Sequence, residues 1–276
     1  MIKVNHEIVE LGKYPDGTPL LKVPVLRNTN NYCTITWLYE NNDELVYLMY
    51  LMQHYHDVAH SDVTYILEMP YVPNARADRT YSASEVFTLK YFCNIINSLG
   101  FASVKIFDVH SSVTPALLQH VHQENARVAS TIYQAIIEYR PDVLFFPDEG
   151  SCKRYAPILK RFYEGYGFDF PPVAYANKER NWSDGTIVGL TVQNGDVVNG
   201  KNVLIIDDIC SKGGTFLHSA KALKALGANH INLYVSHCEN TVLEGEMINS
   251  GLIEGIFTTN SIFTGKHPII HVMDLF

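Results

Sequence analysis

The sequence predicts an α/β protein built mainly from parallel strands, and three observations carry that prediction. Short apolar runs rich in β-branched residues alternate with segments whose apolar residues recur at helical spacing. Polar clusters follow several of those runs directly, where the carboxyl ends of strands in an open sheet hold ligands. A chain of 276 residues, 47% hydrophobic and 18% charged, has enough core for one large α/β domain or two smaller ones.

The central unit is Val203-Leu204-Ile205-Ile206, which reads as a buried parallel strand, followed by Asp207-Asp208-Ile209-Cys210-Ser211-Lys212-Gly213-Gly214-Thr215. Apolar residues Leu217, Ala220, Leu223 and Leu226 then keep a helical spacing, with Gly227 as the stop. A strand, a turn and a helix N-terminus in that order make an anion site, because backbone N–H groups point at the anion and glycines admit it closely. The paired carboxylates repel phosphate and so serve hydroxyls or a metal ion. Hydroxyl acceptors beside a phosphate cradle suggest a sugar phosphate; the plainer alternative is an ordinary βα turn. Neither the Walker A pattern nor the Rossmann GxGxxG fits.

Taken in order, residues 1–30 read as short strands around the turn Tyr14-Pro15-Asp16-Gly17-Thr18, where Pro presets φ and Gly accepts a positive one. Residues 34–38 read as a strand and 43–55 as a helix with Asp43 and Glu44 in its first turn. Residues 63–67 form the next strand, and Pro73-Asn74-Ala75-Arg76-Ala77-Asp78-Arg79 follows it. That stretch is either a solvated loop or a polyphosphate clamp, since two arginines each offer bidentate contacts. Residues 84–99 read as a helix capped by Ser82 or Ser84 and stopped at Gly100. Strand 104–110 ends in Asp108 and His110, two apart and so on one face, either structural or metal-binding. Strand 143–146 leads into Pro147-Asp148-Glu149-Gly150-Ser151 and a helix over 153–162. Residues 172–176 lead into Lys178-Glu179-Arg180, and 181–185 read as a mobile loop that places this basic pair over a transfer site or leaves it on solvated surface. Strand 229–236, helix 241–248, strand 256–259 and strand 269–273 complete the chain.

Composition narrows the function classes. A formal net charge of −8 argues against a general nucleic-acid or membrane binder, and no apolar run is long enough to span a bilayer. The five cysteines are widely spaced without a CxxC, which reads as reduced thiols in a cytoplasmic protein. The twelve histidines form no HExxH motif.

The 203–215 stretch resembles the PRPP-binding loop of the type I phosphoribosyltransferase fold, and the whole chain, from the Tyr14–Thr18 turn to Asp274, resembles the ribose-phosphate diphosphokinase (PRPP synthetase) family. Pro70 to Arg79 is similar to the family's PxxPxARxD stretch, Asp108-Val109-His110 to its DLH, Pro147 to Gly150 to its PDxG and Lys178 to Arg180 to its KER; His237 and Thr259-Asn260 fall at its THG and TNT. The resemblance implies two pseudo-symmetric phosphoribosyltransferase-like domains, 1–125 on the ATP and metal side and 126–276 carrying the sugar-phosphate and catalytic loops. It implies that Tyr14, Asp16, Arg76, Asp78 and Arg79 bind ATP, that His110 and Asp148 hold Mg²⁺, and that Lys178 and Arg180 are catalytic. Asp207, Asp208, Ser211, Lys212, Gly213, Gly214 and Thr215 would bind the sugar phosphate. The implied reaction is attack by the C1 hydroxyl of ribose 5-phosphate on the β-phosphorus of ATP, giving PRPP and AMP in a homo-oligomer whose adenine turn acts in trans.

The departures also carry expectations. The match begins later and ends earlier than the family pattern, so elements shaping its oligomer and allosteric site would be missing. Thr18 stands where the adenine turn usually has an acid, and Ala77 where the ATP stretch has Gln. Ser211 replaces an Asp and Lys212 a Thr in the DDxxDTxGT loop, which makes the cradle more cationic. That favours a larger acceptor such as ADP-ribose, a reaction in NAD metabolism, as an alternative. A phosphoribosyltransferase proper would not require the KER or ATP stretches, and a non-catalytic associated subunit would be expected to lose Lys178 and Arg180.

Overall fold

The computed structural model describes residues 1–26, 31–58, 63–180 and 187–275, with the backbone alone for 178–180 and 187–189. The chain divides into two compact units, Met1–Glu124 and Asn125–Phe276.

In chain order the first unit contains β1 (Ile2–Val4), β2 (Glu7–Ile8), β3 (Glu10–Lys13), β4 (Pro19–Lys22), β5 (Tyr32–Trp37), α1 (Asp43–Val58), β6 (Thr64–Met69), α2 (Thr88–Ser98), β7 (Ser103–Ile106), α3 (Val113–Leu117) and β8 (Val121–Gln123). Its main sheet runs β2-β1-β5-β6-β7-β8, with β3 and β4 a separate hairpin. Strands β5 to β8 are parallel, and β1 pairs antiparallel with β2 and β5. Ile35, Trp37, Leu48, Met52, Leu67 and Ile96 pack as its core. Helix α1 begins at Asp43, as its acidic first turn predicts. Glu44 does more than answer the dipole: it is buried, and its Oε2 accepts from the Trp37 indole at 3.0 Å and the Glu40 amide at 2.8 Å.

The second unit contains α4 (Asn125–Tyr139), β9 (Val143–Phe146), α5 (Glu149–Gly165), β10 (Val173–Arg180), β11 (Ile187–Gln193), β12 (Val203–Cys210), α6 (Gly214–Ala225), β13 (Ile231–Cys238), β14 (Gly255–Thr259) and β15 (Ile270–Met273). Its sheet order is β11-β10-β9-β12-β13-β14-β15. All pairings are parallel except the β10–β11 edge. Strand β13 is buried along its whole length, with Asn232, Ser236 and His237 buried among its apolar residues. The fold is therefore α/β with two parallel-dominated sheets flanked by helices.

Several local expectations need correction. Helix α2 starts at Thr88, and neither Ser82 nor Ser84 caps it. The two hydroxyls bond each other at 3.0 Å, while Glu85 takes the Tyr81 amide at 2.7 Å, so this segment closes its own turn. Strand β7 ends at Ile106, and Asp108 has a φ of 46°, so strand alternation does not put Asp108 and His110 on one face. Residues 241–248 form two short 3-10 turns, Asn240–Glu244 and Met247–Asn249, instead of an α-helix. The interruption falls at Gly245, where the backbone lies directly against the carbonyl of Lys212. Helix α4 and strand β11 are elements the sequence pattern did not reveal.

Candidate active site

Strand β12 runs on through both acids to Cys210 because β13 supplies in-register partners that far: Asp207 opposite Val235, Ile209 opposite His237, Cys210 opposite Cys238. The acids thus stand at the strand's carboxyl end and not in the turn beyond it. Asp207 is half-buried and Asp208 is 5% exposed. A buried carboxylate needs a compensating charge, and the Arg154 Nη1 lies 3.8 Å from its Oδ2. Arg154 comes from α5, which follows the neighbouring strand β9, and its guanidinium sits 4.8 Å from the Tyr155 ring centroid. Sequence reading passed over Arg154, because only the adjacency of β9 and β12 brings it to Asp208.

After Ser211 and Lys212 the chain enters α6 through Gly213, which caps the helix at a φ of 80° and offers no side chain to its N-terminus. Helical geometry leaves the first N–H groups, those of Gly214, Thr215 and Phe216, without intrahelical acceptors, and the dipole makes them attractive to an anion. The turn is held by the following segment. A Cβ on Gly213 would lie 2.6 Å from the Met247 Sδ, and one on Gly245 only 2.0 Å from the Lys212 oxygen. Ser211 Oγ donates to Glu239 Oε2 at 2.7 Å, and Thr241 Oγ1 lies 3.2 Å from both. Lys212 Nζ is 3.7 Å from Glu244, with both side chains about two-thirds exposed (66% and 68%). The extra positive charge expected from Ser211 and Lys212 is therefore met by Glu239 and Glu244, two carboxylates that sequence reading did not connect to the loop.

Asp148 is the N-cap of α5. Its Oδ1 accepts from the Ser151 amide at 2.9 Å and from the Ser151 hydroxyl at 3.2 Å. Lys178, Glu179 and Arg180 are the last residues of β10, paired with β11 across an irregularity between Glu179 and Arg180, so they belong to a strand and not to a free loop. Their side chains, and the expected loop at 181–185, lie outside the described residues. His237 is buried with Nδ1 2.8 Å from the Ser261 hydroxyl, and Asn260 is bonded to Asp274 and the Leu275 amide. Both positions brace the strand ends.

In the first unit, the parallel neighbours β6 and β7 deliver their following segments side by side. Arg76 and Arg79 are exposed, whereas Asp78 is 8% exposed and takes the Arg79 Nε at 2.9 Å and Nη2 at 3.2 Å. The Arg79 guanidinium holds the Asp78 carboxyl below the usual carboxylate range, helped by the Ser111 hydroxyl and by the His110 charge and opposed by burial. Arg76, Asp78, Arg79 and exposed His110 thus stand on two neighbouring segments. The Tyr14–Thr18 turn is built separately at the tip of the β3–β4 hairpin. Asp16 Oδ1 accepts from the Thr18 hydroxyl at 2.7 Å and its amide at 3.0 Å, which lowers the Asp16 pKa. Thr18, the departure from an acid, is what orients Asp16.

Among the described residues no group of three or more His, Cys, Asp or Glu side chains could hold a metal ion. Mg²⁺ shared with substrate phosphates and water needs only one or two protein ligands. No helix among the described residues is long and apolar enough to cross a membrane.

Residues 116–247 match the phosphoribosyl transferase domain model. A ribose-phosphate pyrophosphokinase of Sulfolobus acidocaldarius is 27% identical over 285 residues, spanning 99% of this chain and 90% of that protein. One from Pyrococcus abyssi is 29% identical over 237 residues, spanning 83% of this chain and 75% of its own. The crystal structure of phosphoribosylpyrophosphate synthetase from Mycobacterium smegmatis shares the fold, with a TM-score of 0.73 at 14% identity over 97% of this chain and 86% of that one. With its α/β sheets and the acid-bearing β12–α6 turn, the chain is similar over most of its length to ribose-phosphate pyrophosphokinases, and its 116–247 segment to the phosphoribosyl transferase domain.

Proposed function

We propose that this chain transfers the diphosphate of ATP to the C1 hydroxyl of ribose 5-phosphate, forming PRPP and releasing AMP. The observation that carries this reading is the β12–α6 turn, where Asp207 and Asp208 precede an uncapped helix N-terminus. The carboxylates accept from ribose hydroxyls, and the amides of Gly213, Gly214 and Thr215 receive the 5-phosphate. Ser211 and Lys212 flank that cradle. Lys212 faces Glu244, so its charge is partly neutralised, and ribose 5-phosphate is favoured over the larger ADP-ribose.

Arg76 and Arg79 are assigned to the ATP phosphates, with Asp78 setting the Arg79 guanidinium. Tyr14, 52% exposed, and Asp16 are assigned to adenine held by a neighbouring subunit of a homo-oligomer. Lys178 and Arg180 stabilise charge on the diphosphate as the C1 oxygen bonds to the β-phosphorus and the bond to the AMP oxygen breaks. His110 and Asp148 are the residues assigned to hold Mg²⁺, Asp148 from its place at the head of α5. When bound, Mg²⁺ neutralises the phosphate oxygens. Domain boundaries near 125 follow the same reading, with ATP on the first unit and sugar phosphate on the second.

The test is AMP release from ATP and Mg²⁺ with ribose 5-phosphate or ADP-ribose as acceptor. The reading expects AMP with ribose 5-phosphate and little with ADP-ribose; the reverse preference, or none from either, contradicts it.

A further inference from the structure

Ser211 breaks the acid pattern of its loop, and its surroundings show what stands in for the missing charge. Its hydroxyl has one proton, and the shortest contact it makes is the 2.7 Å bond to Glu239 Oε2. Glu239 follows β13, the strand beside β12, and its amide donates to the Cys210 carbonyl at 2.8 Å, which fixes the carboxylate next to the loop. Thr241 Oγ1 lies 3.2 Å from the same Oε2, so two hydroxyls converge on one carboxylate oxygen. With its proton committed to Glu239, the Ser211 oxygen can only accept from a ligand, as a carboxylate would.

We infer that Glu239 is a positioning residue that turns Ser211 into a hydrogen-bond acceptor, so that the Ser211–Glu239 pair replaces a loop carboxylate in sugar-phosphate recognition. This rests on the proposed sugar-phosphate role of the turn. Selection follows from the polarity: the pair favours a ligand group that donates, such as a hydroxyl, and disfavours a phosphate oxygen at that spot. The 5-phosphate is thereby confined to the amides at the start of α6. Glu239 acts through Ser211, and the negative charge it brings lies one side chain deeper than a loop aspartate would place it.

The test is an exchange of the acid between the two positions. Glu239→Ala should raise the KM for ribose 5-phosphate about tenfold, the scale of one hydrogen bond to a charged group, while the KM for ATP stays unchanged. Ser211→Asp alone should also weaken the sugar phosphate, because two carboxylates then face each other. Ser211→Asp combined with Glu239→Ala should restore most of the affinity. A residue that merely packs the loop gives no such rescue, so failure of the double variant to recover overturns the inference. Melting temperatures of the same four proteins read the contact without turnover: Ser211→Asp should lower it and the double variant recover it. Equal stability of Ser211→Asp and the parent also overturns the inference. Absence of AMP from the parent protein would instead refute the proposed function, leaving the melting series to decide the pairing.

Discussion

The loop after β12 and the loop after β6 stand at corresponding ends of two parallel sheets, yet they are built by opposite means. The β12 loop is fixed by backbone packing and buried charge. Gly213 admits Met247, Gly245 admits the Lys212 carbonyl, Glu239 gathers two hydroxyls, and Arg154 faces buried Asp208. The β6 loop has a buried anchor in Ala75 and Asp78, but its arginines reach out into solvent. Under the proposed function, the first would cradle a small anion and the second would reach an extended polyphosphate with long side chains. Rigidity suits the first because amide donors must converge within a few tenths of an ångström, whereas a guanidinium fork carries its own geometry.

Substitutions should separate the two regions. The largest effect is expected from Gly245→Ala, since the new methyl meets a backbone oxygen that cannot turn aside. Overpacking of this kind costs about 1–3 kcal/mol, and chemical denaturation should show it together with a raised KM for the sugar phosphate. Ala77→Gln in the β6 loop, at a half-buried position, should leave stability nearly unchanged. Arg154→Met comes next. It leaves Asp208 buried beside no cation from α5, and about 2 kcal/mol should be lost, less than for a fully buried pair because Arg154 retains 26% exposure. Equal stability would mean that Arg154 does not support the acid.

Arg76→Ala should reverse this pattern. As an exposed side chain it should shift stability by no more than about 0.5 kcal/mol, yet it should raise the KM for ATP about tenfold. Arg79→Ala should raise that KM and also lower stability, because buried Asp78 loses its guanidinium partner. A matching rise in the sugar-phosphate KM would remove the division of labour between the loops. The smallest effect is expected at the hairpin turn. Thr18→Val removes the hydroxyl that stabilises ionised Asp16, so the Asp16 pKa should rise toward the usual carboxylate range in an NMR titration. The sign follows from the lowered folded pKa: the bond contributes above the ordinary carboxylate pKa and is lost as pH falls through the folded one.

The parallel strands were legible because their apolar runs match their burial; residues 143–146 are β9 to the residue. The β12–α6 turn was legible because acids, glycines and a helix start occur within one short stretch. Contacts set by strand order were not. Arg154 and Glu239 reach the loop from segments that follow β9 and β13, the two strands flanking β12, and nothing in their own neighbourhoods announces it. The expected helix over 241–248 failed for the same reason, because Gly245 is shaped by a loop more than thirty positions earlier. Asp108 and His110 show that strand alternation is informative only as far as the strand extends.

The central claim is diphosphate transfer to a sugar phosphate, and phosphorus NMR of a reaction containing ATP, Mg²⁺ and ribose 5-phosphate tests it most directly. The account predicts stoichiometric AMP and a new diphosphate ester at C1, with both signals absent when the sugar phosphate is left out. ADP as the nucleotide product, or an ATP spectrum unaltered by the sugar phosphate, would contradict it.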